Sequence, residues 1–398
     1  MNHEPQSRAS LLTPRFVLVV SCGLSYFLAL AMLTPVIPHY VEDELGNGSI
    51  AVGIAVGAFA FGAILLRPFA GRIGDQVGRR VLIVGGASIV GISTACYGLI
   101  PALWWLVLAR LVTGVGEAAF FVGAATMITD LSPVERRGEA VSYWSVAVYG
   151  GLAFGPALGE LVRGHDRYTL AWLVAAGFAF LAALLGLATR EVERAQHVRT
   201  ELINRAALIP GTVLFLGLVP LAGFTAFMPL YADDHLGIDS GPIFLGYGVL
   251  ILAVRIVGAR LPDRLGSVRA GTIALVFAAA GIGIIAAWAT IAGLVIGTLV
   301  FAVGMSFMYP ALLLLALQRG TELDRASVVA TVSSFFDLSQ GLGAFICGAV
   351  AALTGNRGAF ATGVVTALLG LALLHTRAAA PRARTTVVVA PAEQMSHE

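Results

Sequence analysis

The chain has 398 residues, of which 58% are hydrophobic and only 12% charged, with a net charge of +2 and a mean hydropathy of +0.87. A soluble chain carries about twice that share of charge, so water is excluded as the solvent for most of this one and a lipid bilayer is implied. All 25 basic residues are arginine, and the three cysteines, Cys22, Cys96 and Cys347, stand far apart with no CxxC, which excludes a disulfide framework and a zinc site.

A spanning helix needs about 20 mainly apolar residues. Read from charge cluster to charge cluster, the chain predicts spans over 16–40, 51–70, 81–100, 103–129, 140–162 and 169–189, then 207–231, 241–259, 270–288, 291–316, 328–353 and 361–376. The runs are continuous rather than alternating, which argues against strands. VVSC at 19–22 is not read as a cleavage site, because the five apolar residues 16–20 are too few for a signal-peptide core. The predicted organisation is a tail (1–15), a six-helix bundle (16–189), a charged linker (190–206), a second six-helix bundle (207–376) and a disordered tail rich in Ala, Pro, Arg and Thr (377–398).

Arginine sets the orientation. Even-numbered connections and both tails hold 19 of the 25, odd-numbered connections hold three, and Arg67, Arg110 and Arg255 fall inside spans. The positive-inside rule then puts both termini in the cytoplasm. The acidic runs VEDELG (41–46) and YADDHLG (231–237) fall in connections on the opposite side.

LRPFAGRIGDQVG (66–78) repeats as VRIVGARLPDRLG (254–266). At an offset of 188 residues Arg67 aligns with Arg255, Arg72 with Arg260, Asp75 with Asp263 and Gly78 with Gly266; Gly116 and Gly304 match at the same offset. The chain therefore reads as a tandem duplication with parallel halves, a plan that puts a substrate site between the halves at mid-membrane.

Four stretches carry a family resemblance. GRIGDQVGRR (71–80) resembles the loop signature of the major facilitator superfamily, with Gly71, Asp75, Gly78, Arg79 and Arg80 in its key positions. LTPVIPHY (33–40), RLVTGVGEAA (110–119) and GLAFGPALG (151–159) resemble the first-, fourth- and fifth-helix motifs of its twelve-helix drug:proton antiporters. The second loop copy departs from the signature at Ala259, Pro262 and Ser267, and Ser142 stands where the fifth-helix motif expects glycine. The resemblance implies an all-α fold of two six-helix halves and transport by alternating access. It also implies that Asp75 meets the eleventh helix, that Arg79 pairs with Asp130, and that these contacts latch the cytoplasmic side.

Physical chemistry supports part of this. A tight turn between spans suits glycine, hence Gly71, Gly74 and Gly78, and Asp75 suits the partial positive charge of a helix N-terminus. The alternative is that the cluster only fixes topology. Within the membrane each ionisable group wants a partner or a purpose. Arg110, Gly114 and Glu117 share one face of the fourth span, and Ser333, Asp337 and Gln340 one face of the eleventh. Arg110 and Glu117 suit either a structural ion pair or, with Asp337, proton coupling, since a carboxylate in a dry cavity exchanges its proton with changes in nearby charge. Glu160 reads as a solvated helix end.

Gly151, Gly155, Pro156 and Gly159 suit close helix contact with a bend; the resemblance makes this the antiporter motif, sealing against leakage. Tyr26, Tyr149, Phe224, Phe227, Tyr247, Phe307, Phe336 and Gln340 are candidates for a substrate cavity, and Trp104 and Trp105 for membrane-boundary anchors. GVGEAA follows no strand and no P-loop occurs, which argues against an ATP-driven pump. The reading is a monomeric, non-enzymatic, proton-coupled exporter of small hydrophobic molecules in a bacterial cytoplasmic membrane, with no cofactor, metal or nucleic-acid partner. An importer or uniporter of a polar metabolite, or a receptor without turnover, is the alternative.

Overall fold

A computed structural model describes residues 12–133, 136–189, 204–258, 264–320 and 325–378. Twelve long helices account for nearly all of them, and no strand occurs among the described residues. In the first half α1 is Pro14–His39, α2 Ser49–Val77, α3 Arg79–Ala95, α4 Leu103–Asp130, α5 Arg137–Arg163 and α6 Tyr168–Ala188. In the second, α7 is Arg205–Leu236, α8 Gly241–Gly258, α9 Ser267–Ala287, α10 Ile291–Arg319, α11 Arg325–Thr354 and α12 Asn356–Leu373. Eleven are long and apolar enough to cross a membrane. The remaining helix, α3, has 17 residues, at the lower limit for a span.

The duplication is written in the helix starts. Arg79 and Ser267, Leu103 and Ile291, Arg137 and Arg325, and Tyr168 and Asn356 are each 188 residues apart. Gly78 and Gly266, one offset apart, precede α3 and α9 with φ of 106° and 84°, a region that favours glycine because it lacks Cβ. Gly116 of α4 lies against Gly86 of α3, and Gly304 of α10 against Ala274 and Ala278 of α9. The same small-residue contact thus joins the same helix pair in both halves, as membrane helices require for close approach.

Several boundaries differ from the sequence expectation, for local reasons. The third span ends at Ala95 rather than 100, where a turn leads through Gly98 to Pro101 and proline disfavours helix before it. The acidic runs are not loops. Residues 40–44 continue α1 as a π-helical turn, and α7 runs on to Leu236, stopping at Gly237 with φ of 62°. The stretch from Gly71 to Val77 is helical as well, so only Gly78 makes the turn that three glycines were expected to make. A Cβ on Gly71 would meet nothing. The linker 190–203 and the tail from 379 lie outside the described residues.

The two halves meet mainly along two seams, α2 against α11 and α5 against α8, and α1 also touches α7. Gly53 faces the backbone at Ala344, Gly57 that at Gly341, and Gly348 that at Ser49; Gly248 faces Ala153, and Gly241 faces Ala157 and Glu160. Every one of these contacts lies in the half of its helix remote from the arginine-rich connections.

Candidate functional site

Three charged side chains from three helices meet at the α2–α11 seam. Arg67 is on α2, Glu117 midway along α4 and Asp337 near the middle of α11. Arg67 Nη2 donates to Glu117 Oε2 at 3.0 Å and to Asp337 Oδ1 at 3.1 Å. Its Nε stands 2.7 Å from Asp337 Oδ2 in an ion-pair contact whose N–H is not aimed at that oxygen. All three side chains are at most 14% exposed, and Phe121 covers the guanidinium at 5.3 Å. The group ties the halves together, because Asp337 belongs to the second half and its partner to the first. It also holds two carboxylates for one guanidinium, an imbalance that is costly away from water.

Of the two readings offered for Arg110 and Glu117, the direct ion pair between them does not form. Arg110 donates to the carbonyls of Ala55 and Val56, each at 3.1 Å, and lies over the Phe59 ring at 4.8 Å. The reason is the closeness of α2 and α4. Gly114 abuts Phe59 and Gly62 abuts Leu111, with no room for a Cβ on either glycine, so the α2 backbone falls within reach of Arg110. Arg110 is thus an interhelical clasp, and Arg67 is the cation the site uses. The signal for Arg67 was an arginine inside a span with an aligned partner in the repeat.

The expected cavity residues divide. Phe224 and Phe227 are fully buried in the second half, and Phe224 packs against Phe244, Tyr247 and Phe301. Tyr26 is fully buried and stacked on Phe120 at 3.6 Å. Tyr247 and Phe307 are buried too. All five are packed inside the helix bundles in this structure. Tyr149, Phe336 and Gln340 are half-buried. Tyr149 lies under the Arg255 guanidinium at 3.5 Å, and Phe336 sits edge-on to Tyr309, whose hydroxyl is 3.2 Å from Ser333 Oγ. The Gln340 Oε1 is buried with no hydrogen-bond partner.

At the arginine-rich end Arg79 Nε stands 3.4 Å from Asp130 Oδ2, and Arg80 donates to the Leu187 carbonyl. Gly71 lies at the end of α2 and Gly266 ahead of α9. The Asp75 side chain and all of Asp263 lie outside the described residues. In α5, Gly151, Gly155 and Gly159 face Phe27, Ala31 and Met32 of α1, around the helical Pro156. That motif therefore joins two helices of one half, and the other face of α5 meets α8.

Glu160 is not a solvated end. It is 2% exposed, accepts from Arg163 at 2.8 Å and from Ser240, just ahead of α8, at 2.7 Å, and lies 3.7 Å from His39 Nε2. His39 Nδ1 is within 3.9 Å of Asp43 in its own half and of Asp233 in the other.

A twice-repeated bundle of membrane-crossing helices, with charge buried at the seam of its halves, defines a polytopic transporter of small molecules. The model of the Major Facilitator Superfamily matches residues 19–322, and the chain belongs to that superfamily. An uncharacterised MFS-type transporter of Salmonella typhimurium is 26% identical over 359 residues, 88% of this chain and 92% of that one. Multidrug resistance protein 1 of Bacillus subtilis is 30% identical over 244 residues, 58% of this chain and 61% of the relative. Among solved structures, a bacterial homologue of the human lysosomal transporter Spinster, in an inward-facing and occupied conformation, superposes with a TM-score of 0.77 at 16% identity, covering 90% of this chain and 95% of that one.

Proposed function

We propose that the chain is a proton-coupled exporter of small hydrophobic or drug-like molecules, working by antiport in a bacterial cytoplasmic membrane with both termini in the cytoplasm. The observation that carries this is the buried group of Arg67, Glu117 and Asp337 across the seam. Two carboxylates opposite one guanidinium leave one negative charge unmatched, and a proton is the smallest species that matches it. Protonating Asp337 weakens its tie to Arg67 and so loosens one half from the other. The arginine count favours a cytoplasmic location for the end bearing Arg79 and Arg80. The interdigitated end at Glu160 then faces outward and is closed.

Export, rather than import, is supported by the likeness to multidrug resistance protein 1 of Bacillus subtilis and by the α5 glycine motif. The test uses protein in proteoliposomes with a pH-sensitive dye inside and an imposed pH gradient. Lipophilic solutes should drive proton movement in the native chain, and Glu117→Gln should abolish it. Solute flux that ignores the gradient in the native chain would replace antiport by facilitated diffusion.

A further inference from the structure

Arg67 has a counterpart 188 residues on, and the two arginines have opposite surroundings. Arg67 is held by two carboxylates. Arg255, in the last turn of α8, has no carboxylate in ion-pair contact among the described residues. Its Nε is buried without a hydrogen-bond partner, and its guanidinium carbon lies over the Tyr149 ring, 3.5 Å from the centroid. Stacking on an aromatic face leaves the edge of the guanidinium, where all five N–H donors point, free to bind. A cation inside a membrane protein without its counter-charge is costly, and this one stands on the α5–α8 seam, against Tyr149 of the other half. A second tyrosine lies near the acidic group. The Tyr309 hydroxyl is 3.2 Å from Ser333 Oγ, one helical turn from Asp337 on α11.

We propose that Arg255, stacked on Tyr149, is the binding residue for an anionic group on the substrate. The transported molecule is then a small amphiphile with one carboxylate or sulfonate, received by the guanidinium edge, and an apolar body laid along Tyr149, Tyr309 and Phe336. This rests on the proposed export of small hydrophobic molecules and adds an acidic headgroup to them. A guanidinium suits the task because its fork matches a carboxylate in two parallel hydrogen bonds, which an ammonium cannot do.

The test is a matched charge series on one apolar frame: 2-naphthoate, 2-naphthamide and 2-naphthylmethylammonium, with binding measured on the full chain in nanodiscs. Naphthoate should bind about tenfold tighter than the amide, the 1.4 kcal/mol typical of a charge-assisted hydrogen bond. Arg255→Gln should erase that preference, and Arg255→Lys should keep part of it. Equal affinity for all three ligands, or binding of none, overturns the proposal. So does a preference that survives Arg255→Gln; Arg255 would then be a stacking residue only. If Arg255→Gln fails to fold, the fate of the preference in Arg255→Lys and Tyr149→Phe decides: a preference undiminished in both overturns the assignment. Naphthoate flux against a pH gradient separates this from the antiport reading. Movement of naphthoate together with protons would sink exchange and leave Arg255 standing. Proton exchange driven equally by all three ligands would do the reverse.

Discussion

Helix α5 carries the same ion pair at each of its ends. At its start Arg136 and Glu139 meet at 2.8 Å, and at its finish Glu160 and Arg163 meet at 2.8 Å, both three residues apart. Glu139 is 44% exposed and Glu160 2%. Geometry therefore does not distinguish them; what covers them does. Over Glu160 the second half supplies Ser240 and Gly241, whereas Glu139 lies at the end where charge is solvated. The two ends of the central interface differ in the same way. One is built from glycines with backbone against backbone; at the other, Arg72 and Glu139 are exposed. The backbone contacts between the halves are thus concentrated at one of the two ends.

The largest effect should come from the point where the ends are joined. Arg67→Met leaves Glu117 and Asp337 buried together without their cation, which costs about 3–5 kcal/mol when one partner of a buried pair is lost. Thermal unfolding in detergent should register this as a steep loss of folded protein. Adding Glu117→Gln and Asp337→Asn should restore most of it. A triple variant no more stable than the single one would mean that Arg67 acts through its stem and not its charge.

At the closed end, Gly248→Leu drives a side chain into Ala153, where overfilling costs about 1–3 kcal/mol. The consequence is specific to the seam. A cysteine introduced as Ser240→Cys should become more reactive toward a maleimide in the Gly248→Leu background than in the native one. Unchanged labelling would show that the α5–α8 seam is not what closes this end.

Much of this architecture was legible in the sequence, and the reasons are physical. Twelve apolar runs, a 188-residue repeat and the bias of arginine toward alternate connections all follow from local composition, which lipid constrains at every position. The partners inside the membrane were less legible. Arg67 reaches Glu117 across 50 residues and Asp337 across 270, and nothing in the spacing along one helix reports such meetings. Periodicity put Arg110 and Glu117 on one face of α4, but it carried no information on how closely α2 would approach through Gly62 and Gly114. The burial of the aromatics was hidden for a related reason. Phe224 and Phe227 lie on a helix with α9, α10, α11 and α12 around it, so most of its surface is core. Composition cannot tell a cavity wall from that.

The smallest effect sharpens the comparison most cleanly, because it uses one kind of substitution at two places on one helix. Glu139→Ala removes an exposed i,i+3 pair, which contributes about 0.3–0.5 kcal/mol. Glu160→Ala removes a buried acceptor serving Arg163 and Ser240, and a buried donor left without its charged acceptor costs about 1.5–3 kcal/mol. Stability measured for both variants under one detergent condition should differ by at least a factor of three in free energy. If the pair at the start of α5 proved as costly as that at its finish, the arginine-rich end would have to be covered as well, and the asymmetry between the two ends would vanish. A large loss at Glu160 alone assigns the closing contact to a charge that sequence reasoning had left in water, and makes the cover from α8 its cause.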